Sequence, residues 1–167
     1  SRTVTVNAST LTVGGVISGA GFGLTKSGAG NLTLSAANTF TGPVTINSGT
    51  LTVTSAIGNG GSAGGLGQST SDAANLVING GVFNWNAAAS ETSNRSITIG
   101  TNGGTIFGKG SSGAAGLTLT GSLALAGSGA RTITLISSAS NRNNSWSADI
   151  GDSGGATSVV VNNTFAN

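Results

Sequence analysis

Gly151-Asp152-Ser153-Gly154-Gly155 is the segment whose residue types come nearest to covalent chemistry. A serine becomes a nucleophile when a general base, normally His, takes its proton and a third group orients that base. The chain has no His, so only Lys26 or Lys109 is left to serve Ser153, and nothing in the sequence brings either one to it. The segment reads as a turn between strands. Asp149 and Asp152 raise a second possibility, glycosidic cleavage, which needs two carboxylates at a set separation. Asp72 and Glu91 are the only other acids. Four carboxylates are too few to line a sugar-cleaving cleft, and too few for calcium, which takes six to eight oxygens. The absence of Cys removes thiolate metal sites and disulfides. Gly58-Asn59-Gly60-Gly61-Ser62-Ala63-Gly64-Gly65 lacks the Lys-Ser/Thr ending and following helix of a phosphate cradle. No catalytic, metal-binding or cofactor-binding residue is expected, and the chain is read as a non-enzyme.

Aromatic side chains are the remaining candidates for ligand contact: Phe83, Trp85 and Trp146. Phe83 and Trp85 alternate along one strand, which favours shared core or groove packing over stacking on a sugar. Exposure beside polar groups would mark a binding face, and full burial a plain rod. The threonine rows Thr3/Thr5, Thr10/Thr12 and Thr50/Thr52/Thr54 are too short and irregular for an ice-binding lattice, and Thr is a good solvent-facing strand residue. The cations Arg2, Lys26, Arg95, Lys109, Arg131 and Arg142 are scattered. A net charge of +2 spread in this way cannot track a phosphate backbone, so no nucleic acid is expected as partner.

The elements that carry these residues follow from period-2 alternation. Thr3-Val4-Thr5-Val6, Thr10-Leu11-Thr12-Val13, Asn31-Leu32-Thr33-Leu34 and Thr50-Leu51-Thr52-Val53 each put apolar residues on one face and polar ones on the other. Further strands are predicted at 44–46, 75–78, 82–85, 96–99, 105–107, 117–119, 123–125, 132–136 and 158–161. Turns such as Asn47-Ser48-Gly49 and Asn79-Gly80-Gly81 separate them, because Asn and Gly tolerate positive φ. No stretch keeps a helical apolar period, and Ala87-Ala88-Ala89 is too short to nucleate a helix. No run approaches the roughly 18 apolar residues of a membrane span. Charged residues are 6% of the chain against roughly a quarter in ordinary domains. Aromatics are 4%, so the core must be thin and aliphatic.

A thin core with short strands and many turns predicts an all-β, right-handed parallel β-helix (a β-solenoid), with a β-sandwich as the alternative. Coils of about 20–25 residues are expected, with Asn38, Asn47 and Asn79 stacking their amides between coils. Val4, Val6, Leu11, Val13, Leu32, Leu34, Val44, Ile46, Leu51 and Val53 are the expected core. The chain reads as one domain over 1–167, with a repeat motif at about 16–53. Arg2-Thr3-Val4-Thr5-Val6 returns as Arg131-Thr132-Ile133-Thr134-Leu135, a partial second copy over about 131–161.

The stretch from Gly23 to Gly42 contains Leu24-Thr25-Lys26-Ser27-Gly28-Ala29-Gly30, then Asn31-Leu32-Thr33-Leu34 and Ala37-Asn38-Thr39-Phe40-Thr41-Gly42. Together with Thr45-Ile46-Asn47-Ser48-Gly49-Thr50-Leu51 it resembles the autotransporter-associated β-strand repeat. That family reads Leu-x-Lys-x-Gly-x-Gly, a Leu-Thr-Leu strand, Ala-Asn-Thr-aromatic-Thr-Gly and Ile-Asn-x-Gly-Thr-Leu. Pro43 stands where the family has Gly or a small residue, which implies a turn or strand edge. The resemblance implies a right-handed β-helical stalk in a bacterial surface or secreted protein, and it carries over no catalytic residue.

The expected role is structural: a rigid extracellular stalk or fibre subunit, with an adhesin-type module for glycan or host surface as the alternative and a polysaccharide-degrading β-helix enzyme as a remote one. Ser1 is followed by no apolar signal segment, so the chain reads as a mature or excised piece. End-to-end self-association through the terminal coils is expected, without membrane insertion by this segment. One chain would span on the order of 35 Å at roughly 4.8 Å per coil.

Overall fold

The computed structural model describes residues 1–108, 115–138, 144–147, 150–151 and 154–164. Lys109, Arg142, Asp149, Asp152 and Ser153 lie outside the described residues. The chain advances in circuits, each opening with two strands joined by a corner of three to five residues. The first circuit holds β1 (Arg2–Thr5) and β2 (Thr10–Val13), the second β3 (Leu24–Ser27) and β4 (Asn31–Leu34), the third β5 (Val44–Ile46) and β6 (Thr50–Val53). The fourth adds a further strand: β7 (Leu76–Ile78), β8 (Val82–Trp85) and β9 (Glu91–Ser93). The fifth repeats this with β10 (Ile97–Ile99), β11 (Gly104–Gly108) and β12 (Leu117–Leu119), and the sixth with β13 (Leu123–Leu125), β14 (Arg131–Ser138) and β15 (Ser145–Trp146). Last comes β16 (Thr157–Thr164).

First strands form a six-stranded sheet in the order β1-β3-β5-β7-β10-β13, and second strands a seven-stranded sheet in the order β2-β4-β6-β8-β11-β14-β16. The extra strands form a third sheet, β9-β12-β15. Every pairing between these strands is parallel. The protein is thus all-β, with parallel strands in stacked sheets and no closed barrel. Sandwich sheets are antiparallel, so the sandwich alternative falls.

Register converts alternation into columns. In the seven-stranded sheet Leu11, Leu32, Leu51, Phe83, Ile106, Leu135 and Val161 are successive partners. Leu32, Leu51 and Phe83 are fully buried, whereas Leu11 is 44% and Val161 61% exposed. Of the expected core, Val6, Leu32, Leu34, Val44, Ile46, Leu51 and Val53 are buried and Val4 and Val13 pack against them. Leu11 faces the same way as Leu32 but lies on β2, which among the described residues is paired on one side only.

The expected coil length and span change. Leu24 pairs with Val44, twenty residues on, but Val44 pairs with Leu76, thirty-two on, because residues 54–75 leave the sheets and return through a 3₁₀ turn at Ala73–Asn75. Seven rungs spaced roughly 4.8 Å give about 29 Å rather than 35 Å. Arg2–Leu24 pairing puts β1 in the six-stranded sheet, while Arg131 pairs with Thr157 in the seven-stranded one. The two similar stretches therefore hold different places in the circuit.

Candidate functional site

Lys26 stands in an inward column between Val4 and Ile46. Its side chain has no solvent exposure. The aliphatic stem fills the apolar column, and Nζ turns to the corner that joins the two sheets. There it donates to the carbonyls of Ser27 at 2.8 Å, Gly28 at 2.7 Å and Ser48 at 3.2 Å. Three acceptors match the three protons of an ammonium, and Ser48 lies one circuit on from the other two. Burial lowers the Lys26 pKa below the usual lysine value. Gly49 closes this cage: its φ is +63°, and a Cβ there would press on the Gly28 and Gly30 carbonyls and sit 2.8 Å from Nζ. The spacing of Lys26, Gly28 and Gly49 is thus the geometry of one ammonium held by two successive corners.

Two arginines repeat the device. Arg131, 5% exposed, donates to Ile99 O and Ala126 O through Nη1 and to Gly127 O and Gly129 O through Nη2. It thereby holds the same corner in the sixth circuit. Arg95, 3% exposed, binds the 54–75 excursion through Ile57 O, Gly58 O, Ser62 O, Gly67 O and Ser69 O. Burial lowers the Arg95 pKa and the Glu91 carboxylate opposes that shift. Glu91 itself accepts from Ile57 N at 2.9 Å, Gly58 N at 2.6 Å and Trp85 Nε1 at 3.2 Å. Ser93 donates to Gly58 O, and Asn94 exchanges bonds with Asn59 and Gly60. Residues 91–95 therefore clasp the excursion, which covers the outer edge of β9.

The residues singled out for ligand contact occupy other places. Phe83 and Trp85 are fully buried and offer no surface to a ligand. Trp146 is half-buried against the core, and its Nε1 has no hydrogen-bond partner. The structure does not bring the three together: Phe83 and Trp85 share β8, whereas Trp146 lies on β15 beside Leu119. Asn38, Asn47 and Asn79 do not ladder with one another. Asn38 instead links three circuits, accepting from Ile17 N at 2.8 Å and donating to Gly65 O at 3.0 Å. Asn79 Oδ1 accepts from Asn102 N. Pro43 sits just before β5, where only its carbonyl is needed, to accept from Leu24 N. Of the four acids, Asp72 and Glu91 are described and lie on different segments.

Residues 24–53 match the family model of the Passenger-associated-transport-repeat. They run from the start of β3 to the end of β6 and so include Lys26, Gly28 and Gly49, the cage residues. The chain carries a passenger-associated transport repeat. A stretch of 86 residues, 52% of the chain, is 45% identical to the Adhesin BmaC autotransporter of Brucella suis biovar 1 (strain 1330), of which it spans 2%. No solved structure matches the chain. Within the repeat, the motif residues go into corner geometry: the Lys26 cation is consumed by backbone carbonyls and presents no charge to solvent.

Sequence reasoning passed over the Lys26 cage and the Glu91–Arg95 clasp. The signals available were a lysine in phase with Leu24 two residues earlier, and an arginine four residues after the only glutamate. Each implied a charge pointing inward that needed acceptors.

Proposed function

We propose that this chain is a non-catalytic segment of the extracellular passenger of an autotransporter-type bacterial surface or secreted protein, built as a right-handed β-solenoid rod. The observation that carries the reading is the coincidence of the transport repeat with the caged lysine: the motif's chemistry is spent on stacking one circuit on the next. Right-handed winding is supported by the rule that crossovers between parallel strands of one sheet are right-handed in about 98% of cases. A rod role is supported by full burial of Phe83 and Trp85, which leaves no aromatic platform on β8. The similarity to an adhesin autotransporter favours a second reading, in which the rod also makes adhesive contacts. Such contacts would use outward hydroxyls and amides such as Thr12, Thr33 and Asn31.

The test is topological. An epitope inserted after Gly15, an exposed position with open space around it, in the full-length parent protein should be stained by antibody on intact cells. Staining only after permeabilisation would contradict a surface passenger.

A further inference from the structure

We propose that Asn59 is a site of spontaneous covalent modification, in which its side-chain amide closes on the Gly60 nitrogen, loses ammonia and opens to aspartate and isoaspartate. The reaction depends on the geometry of the 54–75 excursion and not on what the rod binds. The sequence holds three Asn-Gly pairs, at Asn59-Gly60, Asn79-Gly80 and Asn102-Gly103. Glycine has no side chain to bar its nitrogen from the preceding amide carbon, so each pair is reactive in an unfolded chain. In the folded chain the surroundings of each pair decide.

Asn59 is exposed at the tip of the excursion, in a turn closed by Ser62 N on Asn59 O at 3.0 Å. Its Oδ1 accepts from Asn94 N at 3.0 Å, and Gly60 N donates to Asn94 Oδ1 at 2.8 Å. The first bond polarises the carbon that is attacked and stabilises the oxygen on which negative charge develops. The second ties the attacking nitrogen only to an exposed side chain, whose place water can take. Asn79 Oδ1 also accepts an N–H, from Asn102, but its amide is wedged against Gly100, and Gly80 N is held at 2.8 Å by the Gly103 carbonyl of the next circuit. Gly103 is buried against Thr132 O, and its nitrogen is held at 3.1 Å by Gly100 O. Of the three, Asn59 alone joins a polarised amide oxygen, an exposed side chain and a glycine nitrogen tied to a side chain instead of the backbone.

The bond from Gly60 N to Asn59 Cγ forms as the Cγ–Nδ2 bond breaks, and the Gly60 proton leaves with the amide nitrogen as ammonia. Water then opens the ring, at Cγ to give aspartate or at the Asn59 backbone carbonyl to give isoaspartate. Either product adds one carboxylate, lowers the net charge of +2 by one and places it on the segment that Arg95 holds through Ser62 O.

The full 167-residue chain is incubated in mildly alkaline buffer, folded and in parallel in guanidinium chloride, then mapped by mass spectrometry of its peptides with isoaspartyl methyltransferase labelling. In the folded chain Asn59 should convert about tenfold or more faster than Asn79 and Asn102, whereas in denaturant the three should be level. Asn59→Gln, whose amide must close a larger and slower ring, should lack the early acidic species on ion exchange. Folded-state conversion at Asn59 no faster than at Asn79 or Asn102 would overturn the proposal. So would an equal lead of Asn59 in denaturant, which would assign the preference to local sequence, or an undiminished acidic species in Asn59→Gln.

Discussion

Replacing Gly49 by Ala adds one methyl group at the point where two corners and an ammonium meet. The backbone there has φ +63°. A left-handed conformation costs an L-residue about 1–2 kcal/mol. The new Cβ would also press on the Gly28 and Gly30 carbonyls and lie 2.8 Å from Lys26 Nζ. Neither carbonyl is free to retreat, since Gly28 O accepts from Lys26 and Gly30 O from Thr50 N. Overpacking of this kind adds about 1–3 kcal/mol, so the total is about 2–5 kcal/mol against a stability of about 5–15. For a chain of this size the expected fall in Tm is roughly 4–20 °C. Gly21→Ala is the matched control: φ is +72° and nothing lies within 4 Å of the added Cβ. It should cost only the conformational 1–2 kcal/mol. Urea titrations followed by circular dichroism measure both, with an unchanged m-value expected. Equal losses for the two variants would refute the cage.

Because burial lowers the Lys26 pKa, the folded chain releases this proton before the unfolded one does. Its contribution is then fully present above the unfolded value and is lost as pH falls through the lowered folded value, so stability should rise with pH in the window just below 10.5. Lys26→Met should flatten that slope, as measured by unfolding at several pH values. At neutral pH the same variant strands the Gly28 and Ser48 carbonyls at about 1–3 kcal/mol each, Ser27 O still accepting from Val6 N, but it also removes an ion whose burial costs several kcal/mol. The net change in stability should therefore stay within about 2 kcal/mol in the urea titration. Glu91→Ala removes the acceptor shared by Ile57 N, Gly58 N and Trp85 Nε1. At about 1.5–3 kcal/mol for a charge-assisted bond, amide exchange at Ile57 and Gly58 should quicken by roughly ten- to a hundredfold. Leu51→Asp puts a carboxylate at a fully buried position. The penalty of several kcal/mol for an unpaired buried ion should leave little β-signal in circular dichroism.

Where alternation was strict, the strands were legible in the sequence: β2, β4, β6 and β8 fall where Thr10–Val13, Asn31–Leu34, Thr50–Val53 and Val82–Trp85 alternate. The strands that escaped are those without that signal. β3 has a lysine in its second inward position, β9 is Glu-Thr-Ser, and β15 is two residues long. Each is held by register with neighbouring circuits, a non-local cause that a window of sequence does not contain. Thr52 was expected to be solvated like its fellows, yet it is 6% exposed. Its hydroxyl donates to Asn31 Oδ1 and accepts from Asn84 Nδ2, so flanking rungs cover it. Phe83 and Trp85 were legible as strand residues, but their burial follows from the partners that register assigns them. The 54–75 excursion was hidden for the same reason, since nothing local to it reveals that Arg95 and Glu91 will hold it.

The central claim is that circuits stack along one axis at a constant rise, and distances between spin labels on one outward column test it most directly. Thr12, Thr33, Asn84 and Asn162 stand one above another through the paired registers of β2, β4, β6, β8, β11, β14 and β16. With Thr12→Cys as the fixed label, partners at Thr33, Asn84 and Asn162 lie one, three and six rungs away. At about 4.8 Å per rung, the backbone separations should grow linearly to roughly 5, 14 and 29 Å. A Thr12–Asn162 distance no longer than the Thr12–Asn84 distance would contradict the stack.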